Sequence, residues 1–192
     1  KLKKAQDAIT AMRPYAEKLT ELIQNISSTL EGDAAGVYSE QREVNKVLLV
    51  VVTSNRGLCG AFNANVIKAT RTLIDVTYAG KSVDVLTIGK KGYDLVGKTE
   101  TVFANRSDLF DALTFANVEV VAQQIMDAFI EGSYDKVELV YNQFKNAATQ
   151  IVQTEQFLPL KPVETESNAT VDYIYEPSKE EIILNLIPTS LK

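Results

Sequence analysis

The sequence predicts an α/β protein with a mostly parallel, doubly wound sheet, an antiparallel edge strand and a long N-terminal coiled-coil helix. Three observations lead to this fold class. Apolar residues recur about every 3.5 positions through the first part of the chain. Apolar, β-branched runs then alternate with helical patterns as far as residue 144. A short polar loop and a run of alternating apolar and polar residues follow.

The N-terminal repeat predicts a coiled-coil shaft helix over residues 1–31. Its apolar residues are separated alternately by three and four positions, which is the spacing of a coiled-coil seam. The seam consists of Leu2, Ala5, Ile9, Met12, Ala16, Leu19, Ile23, Ile26 and Leu30. A stripe this narrow requires a partner helix; the alternative is a helix packed on its own domain. Pro14 predicts a local kink, but the seam continues in phase on both sides, so we expect the helix to continue.

The remaining elements follow from composition and spacing. A polar linker is expected over residues 32–45, a globular α/β domain over 46–177 and the start of a truncated C-terminal helix over 178–192. Apolar and β-branched runs predict strands at 46–54, 82–89, 99–104 and 136–144, with the edge strand at 149–158. Helical spacing predicts helices at 63–78, 90–97 and 114–131.

Bulk properties exclude several classes of function. The net charge of −5 argues against nucleic acid as a partner, and the single cysteine excludes an internal disulfide. No run of about 18 apolar residues is present to span a membrane. The chain begins at Lys1 within a helical pattern, and it contains no second seam to pair with the first. We therefore expect a fragment whose partner helix lies beyond Lys192 or on another chain.

Histidine is absent from the whole sequence. This excludes Ser-His and Cys-His nucleophile pairs, histidine general bases and histidine-bound zinc. Catalysis would then require carboxylates, lysine, tyrosine or the single thiol. Carboxylate pairs such as Glu180 with Glu181 are typical of solvated helix ends. We expect no metal and no cofactor.

The most informative stretch is the turn predicted after the first strand, Thr53-Ser-Asn-Arg-Gly-Leu-Cys-Gly-Ala-Phe-Asn63. A glycine turn between a strand and a helix is the usual setting of a phosphate-binding loop. The spacing Gly57-x-x-Gly60, however, supplies only half of a dinucleotide fingerprint, and no Gly-Lys-Ser/Thr triplet is present. A nucleotide-sensing domain stays open as an alternative on this observation.

The same turn resembles a nucleophile elbow, because Gly57-Leu-Cys59-Gly60-Ala61 places a thiol between small residues. Arg56 and a helix start would favour the thiolate. Acyl transfer would also require a base, and the chain has no histidine to serve as one. The structural interpretation is that Gly57 and Gly60 permit a sharp turn and that Cys59 is a small buried filler. A thiol-dependent α/β enzyme is the second alternative.

Ser54-Asn-Arg-Gly-Leu-Cys-Gly-Ala-Phe-Asn63, after its Val-rich strand, resembles the signature turn of the gamma subunit of bacterial F-type ATP synthases. Ala11-Met-Arg-Pro-Tyr-Ala-Glu-Lys-Leu19 resembles the shaft helix of that family. Tyr141-Asn-Gln-Phe144 and Asp172-Tyr-Ile-Tyr-Glu-Pro177 resemble further family segments. The resemblance covers essentially the whole chain, but the tip of the N-terminal helix and the entire C-terminal helix are missing. The chain is thus identified as a member truncated at both ends.

The resemblance implies a non-catalytic rotor in the central stalk of a proton-translocating ATP synthase, peripheral to the cytoplasmic face of the bacterial plasma membrane. The implied partners are the catalytic alpha and beta subunits, the epsilon subunit and the membrane c ring. In the family, the segment matching Tyr173, Tyr175 and Glu176 lies at the base, near the c ring and epsilon. We expect those contacts here. Arg56, Gly57, Cys59 and Gly60 then have a structural role in the signature turn.

Overall fold

The computed structural model describes residues 2–28, 37–146 and 148–161, and it describes the side chains of the first helix only at 3, 4 and 6–21. Residues Gln41–Pro159 form one compact unit. The N-terminal helix belongs to a second unit, and each unit is described by itself.

The first helix, α1, covers Leu2–Ser28 and is 27 residues long. It continues through Pro14, as the uninterrupted seam predicted. Among the seam side chains that the structure describes, Ile9, Met12 and Ala16 are exposed and Leu19 is partly exposed. The remaining seam residues, Leu2, Ala5, Ile23, Ile26 and Leu30, lie outside the described side chains.

The described part of Gln41–Pro159 contains a five-stranded sheet with the strand order β3-β2-β1-β4-β5. The strands are β1 (Lys46–Val52), β2 (Ser82–Ile88), β3 (Thr101–Asn105), β4 (Lys136–Asn146) and β5 (Thr149–Leu158). β1 pairs in parallel with β2 and β4, β2 pairs in parallel with β3, and β5 runs antiparallel to β4. A mixed sheet with a parallel core and an antiparallel edge pair is therefore confirmed.

Three helices connect the parallel strands within this described unit: α2 (Phe62–Thr72), α3 (Lys90–Val96) and α4 (Phe115–Ile130). The Thr114 hydroxyl caps α4 by accepting the Asn117 backbone N–H at 3.3 Å, which satisfies one of the unpaired donors of its first turn. A 3-10 turn over Ser107–Phe110 lies between β3 and α4.

The second predicted helix, 63–78, is not α-helical throughout. Regular α-helix ends at Thr72, and Leu73–Thr77 form a π-helical turn that is closed by the Tyr78 N–H bonded to the Leu73 carbonyl at 2.8 Å. The wider turn brings the Tyr78 ring into the core, where it is 6% exposed. The stretch is helical as the spacing predicted, but apolar spacing does not distinguish an α from a π turn.

The core is organised around β1, in which five consecutive residues are buried. Val47, Leu49 and Val51 pack in one cluster with Val66 of α2 and Val85 of β2. Alternation along a strand directs the intervening residues to the opposite face, and these are equally buried. β1 is thus covered on both faces, as its continuous apolar run predicted.

Candidate functional site

The turn between β1 and α2 lies at the carboxyl edge of the parallel strands. β2 and β3 lie on one side of β1 and β4 lies on the other, so the strand order reverses at this point. Open α/β sheets bind their ligands at such positions. The geometry of this turn therefore decides what chemistry the fold can support.

Thr53 fixes the beginning of the turn against the connection between β2 and α3. Its backbone N–H donates to the Ile88 carbonyl at 2.8 Å, which extends the β1–β2 pairing by one residue. Its buried hydroxyl accepts the Gly92 N–H at 2.7 Å and donates to the Gly89 carbonyl at 3.2 Å. The backbone N–H and the hydroxyl of Thr53 are therefore both hydrogen-bonded, which anchors the start of the turn.

The side chain of Asn63 makes hydrogen bonds across the turn. Its side chain is 8% exposed. The Oδ1 atom accepts the Ser54 backbone N–H at 3.0 Å, while Nδ2 donates to the Arg56 carbonyl at 3.3 Å and to the Cys59 sulfur at 3.0 Å. A single buried amide therefore connects the two ends and the middle of the turn.

Asn55 fastens the turn to its neighbours along the same edge. Its Oδ1 accepts the Lys90 backbone N–H at 2.8 Å, and its Nδ2 donates to the Ser107 carbonyl at 3.1 Å. The connections that follow β1, β2 and β3 are thereby joined through one side chain. We did not predict a role for Asn55 or Asn63 from the sequence.

Leu58 projects from the turn into solvent. Its relative exposure is 109%, and its φ of +57° lies in the left-handed region. Gly60 has the same φ, and the other left-handed residue of the turn is Leu58 and not Gly57. A residue other than glycine with positive φ is uncommon, and the conformation costs about 1 to 2 kcal/mol.

Cys59 is exposed, so the expectation of a small buried filler was wrong. The thiol lies 3.0 Å from Asn63 Nδ2, 3.8 Å from the Arg56 carbonyl oxygen and 3.9 Å from Ser54 Oγ. None of these three groups can act as a general base. The geometry thus supplies a thiol without the partner that nucleophilic catalysis requires.

At the start of α2, one backbone donor of the first turn is bonded to the preceding turn. The Phe62 N–H bonds to the Cys59 carbonyl at 3.2 Å, and the Asn65 N–H bonds to the Ala61 carbonyl at 2.8 Å. The Phe62 donor is used within the turn, whereas the Asn65 bond is the first intrahelical bond of α2. The Phe62 carbonyl in turn accepts from Asn142 Nδ2 of β4 at 2.7 Å, which ties the helix start to the sheet.

A second group of polar side chains lies in the interior, around β4. The Lys136 ammonium is 2.8 Å from Glu138 Oε1 and 5.5 Å from the centre of the Tyr78 ring. Burial, reinforced by Glu138, raises the pKa of Tyr78. Burial acts to lower the pKa of Lys136, but the interaction with Glu138, with a further contribution from Tyr78, outweighs it and the pKa is raised. The ammonium therefore stays charged, as expected of a structural ion pair.

The described residues contain no group of three potential metal ligands, and no helix among them is long and apolar enough to cross a membrane. Tyr173, Tyr175 and Glu176, which the resemblance places at a subunit contact, lie outside the described residues. So does the segment 178–192.

The comparisons with known proteins agree with one another. The family model described as ATP synthase matches residues 1–192. An ATP synthase gamma chain from Flavobacterium psychrophilum is 66% identical over 193 residues, covering all of this chain and 67% of that protein. The gamma chain of Christiangramia forsetii is 53% identical, with the same coverage of each chain. In fold, the chain is similar to the Tetrahymena thermophila mitochondrial ATP synthase central stalk and c ring structure, with a TM-score of 0.53, 20% identity and coverage of 100% and 90%.

A long helix followed by a mixed α/β body, together with the match to the family model over residues 1–192, identifies this protein as a subunit of the ATP synthase family. The chain belongs to the ATP synthase gamma chain family. It spans about two thirds of the length of the curated relatives that it matches.

Proposed function

We propose that this chain is the central-stalk rotor subunit of a proton-translocating F-type ATP synthase. It couples rotation of the membrane c ring to conformational cycling of the catalytic subunits and is itself non-catalytic. The observation that carries the proposal is the match to gamma chains over the full length of the sequence, at up to 66% identity among the relatives named above. The turn at the carboxyl edge supports it, because its thiol has no base among its contacts.

A rotor needs a stiff shaft and a firmly attached body. α1 has 27 residues, which gives a rod of about 40 Å at 1.5 Å per residue. In the proposal its seam pairs, as a coiled coil, with a helix from the third of the protein that this chain does not cover. The exposure of Ile9 and Met12 supports this pairing, because both side chains are on the predicted seam.

The body is proposed to be doubly wound, with helices on both faces of the sheet. The strand order supports this, because connections that leave β1 in opposite directions place their helices on opposite faces when every crossover is right-handed. The proposed division is shaft 1–31, linker 32–45, body 46–177 and the start of the C-terminal helix 178–192.

The proposed partners are the catalytic alpha and beta subunits, the epsilon subunit and the c ring. Tyr173, Tyr175 and Glu176 are proposed to contact the c ring and epsilon at the base of the stalk. Mixed aromatic and polar groups are typical of subunit contacts of this kind. The complex would then hold the chain peripherally on the cytoplasmic face of the bacterial plasma membrane.

The test is a chimera in which this chain replaces the matching two thirds of the F. psychrophilum gamma chain. Inverted membrane vesicles are then assayed for ATP-driven proton pumping. We expect pumping that is sensitive to a c-ring inhibitor. The matched control is the same chimera with Cys59→Ser, which should pump equally well because the thiol has no part in coupling.

Two results would contradict the proposal. The first is a chimera that folds but never enters the complex. The second is a chimera that assembles and hydrolyses ATP without moving protons. Loss of pumping in the Cys59→Ser control alone would instead support the thiol-dependent alternative.

A further inference from the structure

We propose that the groove between α2 and α3 is a binding site for a small monoanionic amphiphile, of the class of a medium-chain fatty acid. The apolar tail lies along the groove, and the carboxylate is held by Lys68 and Arg71. This site goes beyond the proposed rotor function and does not depend on it, because binding is measured on the chain itself.

The groove has the size of a ligand site. Its volume is about 410 Å³, within the range of about 300 to 1,000 Å³ that is typical of small-molecule pockets. Ala64 and Ile67 of α2 line one side, and Leu95 of α3 lines the other. Along α2 the lining continues from Ala64 to Thr72, which is about 12 Å at 1.5 Å per residue. The groove is thus long enough for an extended acyl chain of medium length.

The lining offers apolar surface that nothing in the described chain covers. Ile67 is 6% exposed and contributes the most deeply buried part of the groove. Leu95 is 47% exposed, and Val76 is 71% exposed. Three elements therefore direct apolar side chains to one concave surface, and removing that surface from water favours an apolar tail.

The π turn that follows α2 supplies part of this lining. Within it, Leu73 and Ile74 pack against the core, whereas Asp75 and Val76 line the groove. Turns of this kind are rare, and they occur frequently at functional sites. The irregular turn therefore coincides with the groove, as expected of a binding site.

The charged residues of the groove determine the head group. Lys68 and Arg71 are exposed and three positions apart on α2, so their side chains are neighbours on the helix surface. Among the residues that the structure describes, neither cation forms an ion pair. Asp75 is the one carboxylate of the lining, and the Thr72 hydroxyl is already bonded to the Lys68 carbonyl at 3.0 Å. The groove thus carries one surplus positive charge in a chain of net charge −5.

Shape and charge together select the ligand. A concave site of this volume encloses a small molecule and not the flat surface of a membrane. Two adjacent cations facing one carboxylate complement a single negative charge, and arginine binds a carboxylate through two parallel hydrogen bonds. A free carboxylate with an apolar tail is consequently the occupant that satisfies both parts of the groove.

The central experiment titrates the chain with decanoate, below its micelle concentration, and follows the methyl resonances of Ile67, Val76 and Leu95 by NMR. We expect saturable shifts with a dissociation constant of about 1 mM or below. Decanol, which lacks the charge, should bind about threefold more weakly, and decyltrimethylammonium should bind more weakly still. Equal binding of all three compounds would overturn the assignment of an anionic ligand.

Charge variants test the head-group contacts. Arg71→Gln should weaken decanoate binding about threefold, whereas Lys98→Gln, at an exposed lysine that does not line the groove, should leave it unchanged. Asp75→Asn removes the opposing carboxylate and should strengthen binding about threefold. A gain of affinity is not expected from a residue that only supports the fold, so weaker binding by Asp75→Asn would overturn the charge argument.

Apolar variants test the position of the tail. Ala64→Phe places a ring in the groove and should abolish the methyl shifts, while the exposure of Ala64 leaves the core undisturbed. Val76→Thr keeps the shape of the side chain, adds a hydroxyl and should weaken binding. Val120→Thr is the matched control, because Val120 is 61% exposed on α4, outside the groove. Equal binding by the two threonine variants would place the tail elsewhere and reject the site.

Two further measurements distinguish other occupants. Vesicles that contain phosphatidylglycerol should not sediment with the chain, and cosedimentation without binding of free decanoate would indicate a membrane surface instead. A photoreactive decanoate should label the peptide of α2 in the assembled synthase as it does in the free chain. Labelling of the free chain alone would show that a protein segment fills the groove in the complex, and it would overturn the proposal without affecting the rotor function.

Discussion

Gly89 lies so close to Thr53 that a β-carbon at position 89 would be 2.1 Å from the Thr53 carbonyl oxygen. Gly89 also has a φ of +108°, a conformation that other residues rarely adopt. The ends of β1 and β2 therefore meet through a contact that only glycine permits. This contact fixes the position of Thr53, the first residue of the exposed turn.

Gly89→Ala is predicted to lower the free energy of unfolding by about 3 kcal/mol, from backbone strain and from overlap with Thr53. Gly80→Ala is the matched control, because Gly80 has a φ of +80° but no atom within 4 Å of its would-be β-carbon. We expect that variant to lose about 1 kcal/mol. Urea denaturation of both variants measures the difference, and equal losses would show that the contact with Thr53 is unimportant.

Lys136→Met is predicted to destabilise the body, because it leaves the Glu138 carboxylate buried without its cation. Glu138 is 8% exposed, and the pair distance is 2.8 Å. Since the Lys136 side chain is 22% exposed, we expect a moderate loss of about 2 to 3 kcal/mol. The double variant Lys136→Met/Glu138→Gln should be more stable than Lys136→Met alone. Thermal denaturation at pH 7 distinguishes these outcomes, and a double variant that is less stable would exclude an uncompensated charge as the cause.

Tyr134 is predicted to make folding sensitive to alkaline pH. Burial, together with a hydrogen bond from its hydroxyl to Asp84 Oδ2 at 2.8 Å, raises its pKa above the ordinary value of 10.0. The folded state thus holds this proton more tightly than the unfolded state does. The resulting stabilisation is complete below pH 10 and is lost as the pH rises above it.

The variant Tyr134→Phe tests whether Tyr134 causes this loss of stability at alkaline pH. The ring contact with Phe103, at 5.5 Å between centroids, is retained, but the phenol is removed. We expect the variant to lose about 1 kcal/mol at pH 7 and to show a smaller further loss above pH 10 than the wild type. Denaturation curves between pH 8 and 11 measure this. If both proteins lost the same stability above pH 10, the loss would come from other titrating groups, such as Lys136.

The backbone amides of α1 are predicted to exchange with solvent faster than those of the sheet. Because Ile9 and Met12 are 43% and 68% exposed, this helix lacks a complete packing surface in the chain as described. In a dilute monomer its amides should exchange much faster than those of β1. Mass-spectrometric exchange at two protein concentrations checks the result, and slower exchange at the higher concentration would indicate pairing of seams. Full protection over residues 5–25 in the dilute monomer would contradict the coiled-coil proposal.

The sheet could be predicted from the sequence because burial on both faces leaves a clear signal. The run from Lys46 to Val52 has no polar interruption after its first residue, and β5 begins and ends at the predicted positions. The π turn after Thr72 could not be predicted, since Leu73, Ile74 and Tyr78 keep helical spacing in either conformation.

The turn was predictable in position but not in detail. One signal for Asn63 was present: it shares a helical stripe with Val66, Ile67 and Thr70, all of which are buried. A polar residue on a buried stripe must bond to something nearby. Leu58 gave no comparable signal, because the sequence does not show which residue of a turn takes positive φ when glycines stand on either side.

The exposed thiol beside Leu58 has a practical consequence. The chain contains one cysteine, and that side chain is open to solvent. A maleimide dye would therefore attach at a single known point without any engineering. Its emission would report on the surroundings of the turn, and the protein could be followed from its own native label.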